Sequence, residues 1–164
     1  MSTDEAQVEV LIAAIEKAFA GVPFPGDHEL LHSSCYDDND IKAFYGVTDW
    51  RTVSANVIQV EHAALSFFSP EAFQFYLPAF LIWILRNYST TQAFVVDSTI
   101  YSLNPYTGAG LDAFVQSKFA LFTCDQRGAV AQFLEHMAGL AGKYCHRDEA
   151  RRSLAGWRQW EATL

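Results

Sequence analysis

The feature that most constrains the fold is an uncharged, apolar stretch that runs from Phe75 to Leu85. Ser69, Pro70 and Glu71 precede it in the order typical of a helix start: a capping side chain, a residue whose fixed φ suits the first turn, and an acid that interacts favourably with the helix dipole. The stretch is shorter than the roughly 20 residues that a membrane-spanning helix needs. We therefore predict a buried helix, apolar on nearly all sides, at the centre of the fold.

Pro78 lies inside this predicted helix. It removes one backbone hydrogen bond and crowds the carbonyl of Gln74, so we expect a kink there. Two interpretations of the surrounding aromatic residues remain open. They are core residues, or the kink opens a groove beside Tyr76 and Trp83 for a partner or ligand. Tyr76, Pro78 and Trp83 are therefore the candidate binding residues.

Helical signals recur along the rest of the chain. Ser2 and Glu5 form a potential capping box, and apolar residues then follow at helical spacing until Gly21; a second box, Thr123 and Gln126, opens another helix that is expected to run to Gly142. Further helices are predicted for residues 93–103 and 111–122 and for a last segment that contains Ala150, Leu154 and Trp157. Residues 53–65 favour another helix, although their β-branched residues are also typical of a strand.

These segments together define the predicted architecture. No internal repeat or linker interrupts the chain, and 164 residues suffice for one well-buried core. We predict an all-α fold in a single domain over residues 1–164, with about six to seven helices packed around a Pro-kinked, aromatic-rich central helix.

An acidic cluster, Asp37, Asp38 and Asp40, precedes the apolar residues from Ile41 onward. Asp is favoured at helix N-termini, so the cluster predicts the start of a helix. A calcium-binding loop is a weaker interpretation, because the sixth position counted from Asp38 is Ala43 and not glycine.

The net charge of −8 limits the partners that the chain can bind. Such a charge repels phosphate backbones and anionic lipid headgroups, so we expect binding to neither nucleic acid nor membrane. It favours encounter with a basic protein, although solubility alone can also explain it. Both a monomer and a homodimer are compatible with the sequence, and Trp157 and Trp160 either mark a dimer face or lie in the core.

The cysteines and the N-terminal sequence indicate the compartment. Cys35, Cys124 and Cys145 are widely spaced and odd in number, so we expect no disulfide framework. The first residues lack a basic segment followed by an apolar run. A cytoplasmic location is therefore expected.

One motif suggests catalysis. His28, Glu29 and His32 form an H-E-x-x-H string, which on a helix places two imidazoles one turn apart, facing a zinc ion, with the glutamate as general base. The string begins shortly after Pro25-Gly26, and no third ligand is evident from spacing. A surface helix that docks through Leu30 and Leu31 is the favoured interpretation, with no metal.

The run SFFSPEAFQFYLPAFL at residues 66–81 carries a family resemblance. Together with Trp50 and with FTCDQRGAVAQFLEHM at residues 122–137, it resembles a widespread bacterial family described only as a domain of unknown function. The resemblance extends from AFAGVPFP at residues 18–25 to the final tryptophan-bearing segment. It implies a small, helical, cytosolic protein and lends no catalytic residues, and the H-E-x-x-H string is not part of the pattern.

Two classes of function follow from the sequence. The first is a small acidic protein-binding module without catalytic activity or cofactor, such as an immunity or antitoxin-like protein that neutralises a basic toxin. The alternative is a zinc-dependent hydrolase that uses His28, Glu29 and His32.

Overall fold

The computed structural model describes residues 2–91, 94–140 and 146–164. Within these ranges the chain forms eight α-helices and no β-strand, which confirms the predicted all-α fold. The helices are α1 (Thr3–Phe19), α2 (Ala55–Val60), α3 (Ala64–Phe67), α4 (Pro70–Asn87), α5 (Val95–Ser102), α6 (Asp112–Ser117), α7 (Cys124–Gly139) and α8 (His146–Glu161). Three short 3₁₀ turns lie at Asp27–Glu29, Lys42–Phe44 and Trp50–Thr52.

The central helix is α4, as predicted. Ser69 caps it, since its hydroxyl accepts from the backbone N–H of Ala72 at 3.1 Å, and Pro70 occupies the first turn. The helix continues through Pro78 to Asn87, and most of its side chains are buried. Helices α1, α2 and α5 and the turn Trp50–Thr52 pack against it, so apolar contacts surround it on several sides.

Both predicted capping boxes are present, at Ser2 and Glu5 in α1 and at Thr123 and Gln126 in α7. Gln126 also joins three helices. Its amide donates to the carbonyl of Ala18 at 3.2 Å, and its side-chain oxygen accepts from the amide of Gln74 at 2.8 Å. The first turn of α7 is therefore fixed against the ends of α1 and α4. Helix α7 ends at Gly139, and the predicted end at Gly142 lies outside the described residues.

Aromatic rings connect α8 to the core. Phe119 contacts Trp157 at 4.8 Å and Trp160 at 5.4 Å between ring centroids, and Phe73 of α4 lies 5.6 Å from Phe119. Trp157 and Trp160 are both buried, so their assignment to the core is confirmed.

Helix α8 also approaches the chain after α5 very closely at Gly156. A Cβ atom on this residue would lie 2.7 Å from the side-chain oxygen of Asn104. That oxygen accepts a hydrogen bond from the backbone N–H of Tyr106 at 3.1 Å. Only glycine fits this contact without displacement of the Asn104 side chain.

Several of the predicted helices differ from the observed ones. The helix predicted for residues 111–122 is the shorter α6, which ends at Ser117. Residues 53–65 form two short helices, α2 and α3, because a turn at residues 61–63 separates them. The cluster Asp37–Asp40 does not begin an α-helix. Asp37 instead accepts from the backbone N–H of Asn39 at 2.8 Å, and only the 3₁₀ turn Lys42–Phe44 follows, without a side-chain cap. The local Asp37 bond offers the backbone an alternative to the helix.

Candidate functional site

The H-E-x-x-H segment is not helical. His28 and Glu29 are exposed in the 3₁₀ turn Asp27–Glu29, after which the chain is irregular and forms no α-helix. Leu31 forms an isolated bridge with Phe68, and the backbone N–H of His32 donates to the carbonyl of Phe67 at 2.8 Å. The prediction of a surface helix is therefore wrong, although Leu30 is fully buried as expected for its docking role.

His32 packs against α6 and does not project beside His28 from a shared helix. Its ring centroid lies 4.5 Å from that of Phe114, and its Nδ1 atom accepts from the backbone N–H of Ser34 at 3.0 Å. Burial, followed by the nearby charge of Lys118, lowers the pKa of His32. Among the described residues, no three His, Cys, Asp or Glu side chains are grouped so as to hold a metal ion. The zinc hypothesis stays a prediction, without the helical geometry from which it was argued.

A buried lysine lies beneath this segment. Lys118 is only 2% exposed, and its ammonium donates to the carbonyl oxygens of Leu65 at 2.8 Å and Ser66 at 2.6 Å. The ammonium also lies 4.6 Å from the ring centroid of Phe114. Burial lowers the pKa of Lys118 to about 7. The lysine thus ties the end of α3 to α6.

The three residues of the predicted groove do not meet at one surface. Tyr76 is fully buried, and its hydroxyl donates to the carbonyl of Val47 at 2.7 Å. Burial raises the pKa of this hydroxyl. Pro78 is also buried, whereas Trp83 is half-buried and lines a small surface cavity together with Trp50.

The charges of the chain are distributed unevenly. Residues 1–71 contain twelve of the nineteen acidic side chains and three of the eleven lysines and arginines. The remaining residues contain seven acids and eight bases, so they are nearly neutral. The excess negative charge is therefore confined to the segments from α1 to the start of α4.

Residues 36–49, here called the acidic loop, carry four of these acids and one lysine. Asp38 accepts from the hydroxyl of Tyr45 at 2.9 Å, and this bond raises the pKa of Tyr45. Asp27 accepts from the backbone N–H of Gly46 at 2.8 Å and so adds its charge to the same surface. Phe44 anchors the loop, because its ring packs against Phe68, Tyr76 and Phe80 in the core.

Two tyrosines are presented by the acidic loop. Tyr36 is fully exposed, and Tyr45 is 41% exposed. Tyrosine combines a large apolar ring with a hydrogen-bonding tip, and it is enriched among the residues that dominate protein–protein binding. The sequence does not predict this site, because the string Tyr36-Asp37-Asp38 is typical of a helix start. The juxtaposition of tyrosine with several aspartates was the available signal.

The arrangement of helices around α4 defines a class of protein, an all-α bundle with an irregular acidic loop. The chain belongs to the family of unknown function DUF6714, whose model matches residues 7–162. No curated protein and no solved structure matches the chain. Within the described part of the chain, no helix is both long enough and apolar enough to cross a membrane.

Proposed function

We propose that this protein is a non-catalytic protein-binding module of the bacterial cytoplasm that recognises a basic protein through the acidic loop. The observation that carries the proposal is the exposure of Tyr36 and Tyr45 among aspartates, on a loop whose base is fixed by buried Phe44. Rigid aromatic side chains surrounded by charge are well suited to bind a partner of opposite charge.

Electrostatics and apolar contact have separate roles in this proposal. The excess negative charge of residues 1–71 accelerates the encounter with a basic surface. Once the complex forms, Tyr36 supplies the buried apolar contact, and lysines or arginines of the partner pair with Asp37 and Asp40. Immunity proteins and antitoxins that neutralise basic toxins need this combination of rapid encounter and tight contact, so we place the protein in that functional class.

The test uses the product of a coding sequence adjacent to the gene, chosen for a basic sequence. Binding kinetics are measured for the wild type and for Tyr36→Ser, which removes the ring and keeps a hydroxyl. We expect the variant to dissociate at least about tenfold faster, as is usual for a central interface tyrosine. We also expect the wild-type association rate to fall steeply between low and physiological salt.

Asp37→Asn combined with Asp40→Asn should slow association, whereas the matched pair Asp112→Asn and Asp125→Asn, in the nearly neutral part of the chain, should not. Equal binding by wild type and Tyr36→Ser would contradict the proposal. A salt-independent association rate would contradict the electrostatic part of it.

A further inference from the structure

A second surface differs from the acidic loop in both charge and shape. A cavity of about 160 Å³ lies between the turn Trp50–Thr52, α2 and the last turns of α4. The indole rings of Trp50 and Trp83 line it, together with the aliphatic side chains of Ile58 and Ile82. The cavity therefore offers a largely apolar lining that a flat ring can contact.

Among the described residues, the polar side chains that line this cavity include two guanidinium groups and no carboxylate. The guanidinium carbon of Arg51 lies 4.3 Å from the ring centroid of Trp50, and its Nη1 atom lies 3.3 Å from a carboxylate oxygen of Asp49. Arg86 also lines the cavity; it is exposed, and within the described residues it makes no hydrogen bond or ion pair. Carboxylates do line three other cavities: Asp4 and Glu135 lie at one between α1 and α7, Asp97 and Glu149 at one between α5 and α8, and Asp125 at a second one between α1 and α7. A cationic cavity is unexpected in a chain with a net charge of −8.

The size and chemistry of the cavity define its ligand. A volume of about 160 Å³ is close to that of a cavity that accommodates a single benzene ring. Guanidinium groups bind carboxylates through two parallel hydrogen bonds, and indole faces stack on flat rings. We propose that this cavity binds a small aromatic carboxylate, with its ring against Trp83 and its carboxylate on Arg86. This site lies outside the acidic loop and does not depend on the function proposed above.

Benzoate is the probe, and benzamide is its neutral control of nearly the same shape. Binding is followed by NMR through the indole N–H resonances of Trp50 and Trp83. We expect saturable shifts of these two resonances with a Kd on the order of 1 mM, as befits a ligand of this size. The resonances of Trp157 and Trp160 should not move, because neither side chain lines this cavity. Benzamide should bind at least about tenfold more weakly, since it cannot form the charged pair.

Arg86→Gln should weaken benzoate binding at least about tenfold, whereas Arg158→Gln, which removes an exposed arginine of α8, should leave it unchanged. The thermal unfolding of Arg86→Gln should match the wild type, which shows that the loss is local. Equal binding of benzoate and benzamide, full binding by Arg86→Gln, or no saturation up to about 10 mM would each overturn the proposal.

Discussion

Burial changes the chemistry of Lys118 in a way that the sequence does not indicate. Lys118 looks like an ordinary surface lysine in the sequence, yet it is buried and donates to two carbonyl oxygens at the end of α3. A neutral amine retains two N–H groups, so both bonds survive the loss of the proton. Burial lowers the pKa of Lys118 to about 7, which makes the lysine a source of pH-dependent stability.

The direction of this dependence follows from proton binding. Above about pH 7 the folded protein releases the proton of Lys118, whereas the unfolded chain holds it up to its ordinary pKa of about 10.4. The unfolded state therefore binds more protons, and stability rises with pH across this interval. We expect the free energy of unfolding, measured with urea, to increase by roughly 1–2 kcal/mol from pH 7 to pH 9.

The variant Lys118→Met should lose this rise. It should also be less stable at pH 9 by about 1–3 kcal/mol, because the carbonyls of Leu65 and Ser66 lose their donor. Lys17→Met, a change at an exposed lysine of α1, should retain the wild-type pH profile. A Lys118→Met profile as steep as that of the wild type would show that another group causes the rise.

Close packing restricts which residue fits at position 156 of α8 more strongly than helix propensity does. Gly156 lies inside this helix, where alanine would ordinarily be preferred by about 1 kcal/mol. A Cβ atom at this position would, however, displace the side chain of Asn104 from its bond to Tyr106. Gly128, inside α7, has no atom within 4 Å of an added Cβ.

Two matched substitutions test this contrast by thermal or urea unfolding. We expect Gly128→Ala to stabilise the protein by about 0.5–1 kcal/mol through helix propensity alone. Gly156→Ala should instead destabilise it by roughly 1 kcal/mol or more, because the lost Asn104 bond and the displaced side chain outweigh the same gain. If both variants were stabilised equally, the contact between α8 and Asn104 would be looser than the structure indicates.

The elements that the sequence predicts best are those whose signals are local. Capping residues and apolar spacing lie within the helix itself, so α1, α4 and α7 were predicted with their N-termini correct. Residues 28–32 were not, because their irregular course depends on bonds to Phe67 and Phe68, which are distant in sequence. The candidate site was missed for a similar reason, since Phe44 and the core, not local propensity, decide how the acidic loop presents its tyrosines.

For the whole molecule, the uneven distribution of charge has an energetic effect. Residues 1–71 carry twelve acids and three bases, so like charges repel one another in the folded state. The ion pairs present do not remove this excess, because Lys42 and Arg51 are the only bases of the segment seen to pair within the described residues.

Screening by salt should therefore stabilise the protein. We expect the Tm to rise by about 2–4 °C between 20 mM and 200 mM sodium chloride, as repulsion among the acids is screened. Glu9→Gln combined with Asp37→Asn should reduce this rise. The matched pair Asp112→Asn and Asp125→Asn, in the nearly neutral part of the chain, should reduce it less. A Tm that falls with salt would mean that favourable ion pairs dominate instead.

The irregular course of residues 28–32 also bears on how this sequence can diverge over time. The backbone N–H of His32 donates to the carbonyl of Phe67, and the backbone N–H of Ser69 donates to the carbonyl of Leu30. The side chains of His28 and Glu29 are exposed and make no hydrogen bond within the described residues. Folding alone thus leaves these two positions free to mutate, since exposed side chains away from such contacts contribute little to stability. If descendants of a common ancestor nevertheless retained both, selection for a task, and not for the fold, would have kept them.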